Sequence, residues 1–281
     1  MSKIINNLRE LLTEENLQNI KNHEFSIEEY KTILKNIDRH GRKNLNLDKN
    51  MTALEQITEI TVQHTIIYES KDNLNSGYYV YNKLYLNRNL PKSQQIATLI
   101  HELSHHIYAE IFEGWLLTLF KVRKKSIIES FVMFMLNNSI ENRAANEYIS
   151  YIVEGRFTPK KYQNYISFIQ LIMELNINVK ESKEYFIFGH EVSHDIDNLL
   201  KPVIDENLRK LIEEQFEEDG ITPSNQELKF EYCDERFSEE EKIDIMKEMI
   251  YFIFDYFVNG SGEIEELEGY MINLEKKFKN V

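Results

Sequence analysis

The sequence predicts an α+β protein, with a small β-sheet beside one amphipathic helix in its first part and helices through most of its second. Residues 60–87 are rich in β-branched and aromatic side chains, which are typical of strands. Residues 96–109 repeat apolar side chains at positions i, i+3, i+4 and i+7, which is the spacing of a helix. Only four prolines and nine glycines occur in the chain, and this favours long helices.

The elements before the amphipathic helix can be predicted in order. Residues 1–60 are expected to be helical, and Ser26 followed by Glu28 and Glu29 is a typical helix start. Residues 60–68 predict a strand, and residues 71–77 carry turn chemistry. Residues 78–87 predict a second strand or a tight hairpin that bends at Asn82 and Lys83.

The helix of residues 96–109 contains the pattern H-E-x-x-H at His101, Glu102 and His105. Residues four apart lie on one face of a helix, so the two imidazoles can bind one zinc ion while Glu102 acts as a general base. Pro91 fits the first turn of this helix. The alternative is a surface helix with two incidental histidines, and the amphipathic context favours the metal site.

Helices are predicted for most of the remaining chain. One long helix is expected over residues 127–154, ended by Gly155 and Pro159, and others over residues 162–175, 195–217 and 239–259. Pro202 is expected to interrupt the second of these three, and residues 227–233 to form a short extended piece. The sequence thus predicts a domain of residues 1–160 that carries the metal site and an α-helical domain of residues 161–281.

A catalytic zinc site normally has a third protein ligand, which should come from a later helix. On a helix over residues 140–154, Glu141 shares a face with Ala145 and Tyr148, whereas Glu147 shares a neighbouring face with Ala144. Helical geometry favours Glu141 and leaves Glu147 as a rival. Most glutamates on helices are simply solvated, so either could also be an ordinary surface residue.

These segments together resemble the ImmA/IrrE group of gluzincin metallopeptidases. That family combines a β-hairpin, H-E-x-x-H and a later helix in which a ligand Glu precedes Ala-Asn and an aromatic residue, here Ala145, Asn146 and Tyr148. The family places its ligand four residues before this Asn, where the present chain has Asn142, and Glu141 stands one residue earlier. The resemblance covers about residues 55–160.

The resemblance implies a zincin-like catalytic domain and an intracellular endopeptidase that acts on a protein substrate, such as a transcriptional repressor. His101, His105 and Glu141 would bind Zn²⁺, and Glu102 would be the catalytic base. A noncatalytic zinc-binding interaction protein is a further alternative.

Two competing motifs lie in the second half of the chain. A second H-E-x-x-H occurs at His190 and His194, but Pro202 follows closely and weakens this metal-site interpretation. Asp195, Asp197 and Asp205 resemble the signature of RusA-type Holliday-junction resolvases, in which aspartates bind Mg²⁺. A helix start with capping aspartates is the simpler interpretation.

Composition restricts the remaining possibilities. The net charge of −14 disfavours nonspecific nucleic-acid binding, and the short basic run of residues 121–125 is interpreted as a solvated helix end. The single cysteine, Cys233, excludes an internal disulfide and fits a reducing compartment. Residues 1–16 predict a charged amphipathic helix rather than a signal peptide, and no membrane-spanning segment is expected. The sequence therefore predicts a cytoplasmic protein whose partner is a protein or peptide substrate.

Overall fold

The computed structural model describes residues 9–70, 76–121, 126–224, 226–228 and 235–260, together with residues 262, 263, 265–267, 269, 270 and 273. Within these ranges it is mostly helical and contains one three-stranded sheet, which confirms the α+β class. The helices are α1 (Glu14–Asn22), α2 (Ile27–Arg42), α3 (Ala53–His64), α4 (Lys92–Phe120), α5 (Ser126–Asn138), α6 (Ile140–Phe157), α7 (Ile166–Glu174), α8 (Lys183–Leu200), α9 (Glu206–Glu218) and α10 (Glu239–Val258), with a 3₁₀ turn at Lys160–Tyr162.

The sheet contains β1 (Ile66–Glu69), β2 (Gly77–Val80) and β3 (Lys83–Leu86) in the order β1-β3-β2. Strand β3 pairs in parallel with β1 and antiparallel with β2, so β2 is an edge strand. The predicted hairpin is confirmed. Its bend lies one residue earlier than expected, at Tyr81 and Asn82, whose φ angles of 48° and 57° are those of a two-residue type I′ turn.

The strand predicted over residues 60–68 is wrong in its first half, because α3 continues to His64. Thr52 caps this helix and exchanges hydrogen bonds with Glu55, so the helix start is strongly specified. Ile57 and Ile60 are buried one turn apart. Packing of this apolar face overrides the strand preference of the β-branched residues, and the strand begins only at Ile66.

Helix α4 is the longest described element and packs against α3, α5 and α6. It begins directly after Pro91, as expected, and continues eleven residues beyond the predicted end at Ala109. Buried residues occur on all sides of it, including Leu99, Ile107 and Trp115. A helix buried on all sides belongs to the interior of the fold, so α4 forms its centre.

The single helix predicted over residues 127–154 is interrupted. Ser139 ends α5 and caps α6, because its hydroxyl accepts a hydrogen bond of 3.0 Å from the backbone N–H of Asn142. Gly155 does not end α6, which reaches Phe157 before Pro159 follows. The break changes the direction of the chain, so α6 folds back onto α4 and brings its polar side chains to the helix with the paired histidines.

The later helices are confirmed, with Pro202 in the interruption between α8 and α9, but α8 begins at Lys183 and not at the predicted residue 195. One hydrophobic cluster includes Ile100 and Phe112 from the first predicted domain and Val192 and Ile250 from the second. The predicted boundary near residue 160 therefore does not divide the core. None of the described helices is long and apolar enough to cross a membrane.

Several predictions concern residues outside the described ranges. They are most of the turn at residues 71–77, most of the basic run at residues 121–125, most of the extended piece at residues 227–233 with Cys233, and the first half of the N-terminal helix at residues 1–16.

Candidate metal centre

The two histidines of the first H-E-x-x-H pattern lie side by side on α4. The rings of His101 and His105 are 4.9 Å apart between centroids, at an angle of 78°. Their side chains are only 12% and 9% exposed, while Leu99, Ile100 and Leu103 on the same helix are buried in the core. The apolar residues therefore fix the rotation of α4, and this rotation directs both imidazoles toward α6.

Glu147 of α6 completes a group of three possible metal ligands. Its Oε2 atom lies 3.5 Å from Nε2 of His101 and 3.8 Å from Nε2 of His105, and all three ligand atoms are within 4.8 Å of one another. Tetrahedral zinc with bonds of about 2.0–2.1 Å separates neighbouring ligand atoms by about 3.4 Å. The two distances from Glu147 thus exceed the spacing around zinc by only about 0.1–0.4 Å, and the donor set is one that zinc binds.

Polar groups of α6 contact the opposite ring nitrogens of the same histidines. Nδ1 of His101 lies 3.1 Å from Oε2 of Glu154. Nδ1 of His105 lies 2.8 Å from Oδ1 of Asn146 and 3.0 Å from Oγ of Ser150. Such contacts fix the tautomer and orientation of metal-binding histidines, and here they leave both Nε2 atoms directed toward Glu147.

The charges of this cluster are strongly coupled. Burial lowers the pKa of His101, but hydrogen bonds with Glu147 and Glu154 outweigh this effect and hold it well above its ordinary value. Burial lowers the pKa of His105, with partial compensation from Glu147. Burial raises the pKa of Glu147, but the two histidines together lower it to about 2. Glu147 is therefore an anion at neutral pH, as a metal ligand must be.

Glu102 is buried beside the cluster, with 7% of its surface exposed. Burial raises the pKa of Glu102 to about 7, opposed by the charge of His101 and reinforced by that of Glu147. The backbone N–H of Tyr79 in β2 hydrogen-bonds the carboxylate of Glu102. Strand β2 reaches this position because residue 77 is glycine, where a Cβ atom would lie 2.8 Å from the carbonyl oxygen of Tyr85 and 3.6 Å from Cγ of Glu102.

A cleft of about 750 Å³ opens above these residues. Its lining includes residues 76–79 of the edge strand, the histidines and glutamates of the cluster, and Tyr151, whose ring lies 4.5 Å from that of His101. Phe216, Ile221 and Thr222 contribute a wall from the second half of the chain. The C-terminal helices thus help to form the cleft.

Glu141, the preferred third ligand, is not part of the three-residue group. It lies six residues before Glu147, which corresponds to about 9 Å along a helix and about 120° around it. Its charge instead acts on Tyr185 of α8. The structure thus reverses the preference and brings the rival, Glu147, to His101 and His105. The contacts of His101 and His105 with α6 show which sequence signal was missed. It is a stripe of polar residues along this helix, at Asn146, Glu147, Ser150, Tyr151 and Glu154.

The second H-E-x-x-H pattern has a different environment. Nε2 of His190 lies 3.2 Å from Nε2 of His194, which in turn is 3.3 Å from the guanidinium of Arg156. Glu191 of this motif lies 3.5 Å from Nε of Arg236. Among the described residues, no third ligand joins these histidines. Two cations next to the pair disfavour a second catalytic metal.

The three aspartates of the nuclease-like motif are engaged separately. Asp195 accepts hydrogen bonds of 2.6 Å from both Tyr30 and buried Lys242. Asp197 pairs with Lys201, and Asp205 caps α9. In the described part of the chain these carboxylates form no common group. The predicted helix start with capping aspartates is wrong for Asp195 and Asp197, which lie in the last turns of α8, and correct only for Asp205. The Mg²⁺ site predicted as an alternative does not assemble.

Comparisons with protein-family models, with curated protein sequences and with solved structures find no match to this chain. The geometry of the site itself is therefore the basis for a functional assignment.

Proposed function

We propose that this protein is a zinc-dependent endopeptidase that hydrolyses a peptide bond in an intracellular protein substrate. The observation that carries the proposal is the convergence of His101, His105 and Glu147 beside buried Glu102 on the floor of an open cleft. Two histidines and one carboxylate are a ligand set typical of catalytic zinc, which keeps a position open for water or substrate. A zinc ion bound there would supply Lewis acidity toward a carbonyl group and toward water.

Glu102 is the group that would move the proton. Its carboxylate would accept a proton from the attacking water and return it to the amine that leaves the cleaved bond. The N–H of Tyr79 holds this carboxylate, and the surrounding core excludes bulk water from one side of it. This arrangement supports general-base catalysis rather than a purely structural role for Glu102.

The edge strand β2 would orient the substrate. An extended peptide can add to an exposed sheet edge through backbone hydrogen bonds, and residues 76–79 line the cleft directly beside Glu102. A peptide placed along β2 would pass over the metal ligands. The edge strand along the cleft therefore supports a polypeptide substrate.

The test uses full-length wild-type protein, Glu102→Gln and, as a matched control, Glu141→Gln. Zinc content is measured by elemental mass spectrometry, and cleavage is measured on a library of quenched fluorescent peptides. We expect Glu102→Gln to retain zinc and to lose about 10²–10⁴-fold in cleavage rate, since this is the usual contribution of a general base. The control should retain both properties.

Two results would contradict the proposal. Equal cleavage by wild type and Glu102→Gln would show that the activity does not come from this site. Stoichiometric zinc without cleavage of any peptide or folded protein by the wild type would instead support a noncatalytic zinc-binding protein.

A further inference from the structure

We propose a second, structural metal site, formed by His64, His106 and Glu110, that binds a divalent transition-metal ion such as Zn²⁺. It lies on a neighbouring face of α4, since His106 directly follows His105 and each residue turns a helix by about 100°. The proposal does not depend on the peptidase function.

The three side chains meet although they come from two helices. His64 is the last residue of α3, while His106 and Glu110 are four residues apart on α4 and therefore share a face. Oε2 of Glu110 lies 3.7 Å from Nδ1 of His64 and 3.5 Å from Nε2 of His106. All three ligand atoms lie within 4.8 Å of one another, as they do in the candidate catalytic cluster.

These side chains are more deeply buried than a surface ion pair would be. The exposed fractions are 8% for His64, 1% for His106 and 14% for Glu110. Within the described part of the chain, Nδ1 of His64 is buried and has no hydrogen-bond partner. Buried polar atoms are normally hydrogen-bonded, and an ion between these three residues would satisfy that nitrogen.

The ring of His64 is held in place by α2. A Cβ atom at Gly41 would overlap this ring, so glycine permits the helix to pass directly over it. Because α2 covers the Nε2 side of the imidazole, Nδ1 is directed toward Glu110. The packing thus fixes the nitrogen that would bind the ion.

Tyr79 connects the second site to the cleft. Its hydroxyl oxygen lies 3.1 Å from Nδ1 of His106, a contact typical of residues that orient a metal-binding histidine through the opposite ring nitrogen. The backbone N–H of the same residue holds Glu102. An ion at the second site would therefore stabilise β2 in the position where it lines the cleft.

The test is metal stoichiometry of the full-length protein reconstituted with Zn²⁺. Elemental mass spectrometry is applied to wild type, His64→Ala, Glu110→Gln, His101→Ala and, as a matched control, Glu141→Gln. We expect about two zinc ions per chain in the wild type and the control, and about one in each of the other variants. The double variant His64→Ala with His101→Ala should hold none.

The outcomes separate the two sites. Loss of one ion in His64→Ala and Glu110→Gln but not in His101→Ala supports the second site and contradicts the catalytic one. Circular dichroism identifies any variant that fails to fold, and Glu110→Gln retains the shape of the side chain if His64→Ala does not. An unchanged zinc content in folded Glu110→Gln overturns this inference and identifies the cluster as a metal-free array of hydrogen bonds and charges.

Discussion

Replacing Gly77 with alanine tests whether β2 is packed against α4 as closely as the proposed site requires. A Cβ atom at this position would lie 2.5 Å from Cγ2 of Thr98 and 2.8 Å from the carbonyl oxygen of Tyr85. The second neighbour is backbone of the paired strand and cannot rotate away. The new methyl group must therefore push β2 away from either α4 or β3.

The magnitude of this effect follows from the two distances. Restoring contacts of about 3.5 Å requires local shifts of about 0.7–1.0 Å. Overpacking of this kind typically costs about 1–3 kcal/mol. For a chain of 281 residues, the unfolding entropy is about 0.6 kcal/mol per kelvin, so the melting temperature should fall by about 2–5 °C.

The assay is thermal unfolding followed by circular dichroism, with Thr98→Ser as a second substitution. Serine removes the methyl group that causes the closest contact and keeps the hydroxyl that donates to the carbonyl of Gln94. We expect the double variant with Gly77→Ala to recover part of the lost stability, because the contact with Tyr85 remains. An unchanged melting temperature in Gly77→Ala would refute this packing of β2 on α4.

Three further predictions concern the charged groups. In a competition titration with a chelator, Glu147→Gln should weaken zinc binding by more than about 100-fold, which exceeds the effect typical of residues that only orient a ligand. Glu141→Gln should leave zinc binding unchanged in the same titration. Burial lowers the pKa of His190 to about 4, so between pH 6.5 and 4 the unfolded chain binds more protons and stability falls as the pH falls. Between pH 7 and 5, the free energy of unfolding measured by urea denaturation should therefore fall by about 1 kcal/mol less in His190→Gln than in wild type, a value reduced for solvent screening. Lys242→Met should destabilise the fold by about 3 kcal/mol, because it leaves Asp195 without its buried cation. The double variant Lys242→Met with Asp195→Asn should recover much of the lost free energy of unfolding in the same urea assay.

The parts of the site that the sequence predicts are those specified by local patterns. The histidine helix follows from the spacing of Ile96, Leu99 and Leu103, which are all buried in the core as expected. The hairpin follows from strand-forming residues on both sides of a short turn, although Tyr81 is not a residue type that marks the bend. Local patterns fix element type well and element ends poorly, as the continuation of α3 to His64 demonstrates.

The third ligand could not be assigned from helical periodicity alone. Periodicity groups residues into faces but does not show which face of α6 meets α4. That choice depends on the break at Ser139 and on packing against α8, where Gly189 allows close contact with Tyr148 and Ile149. The polar stripe of α6 marks Glu147 as a candidate, but only these contacts between distant parts of the chain place that stripe on α4.

The same reasoning explains why two metal-type clusters occur on one helix. Because α4 is buried on all sides, each polar residue on it must find partners on a neighbouring element. On one face, α6 supplies Glu147, and on the next, α3 supplies His64. A buried helix with polar residues on two faces is stable only when the polar side chains of both faces have hydrogen-bond, ion-pair or metal partners. Removal of metal from wild type should therefore lower the melting temperature more than removal from His101→Ala, which retains only the structural ion.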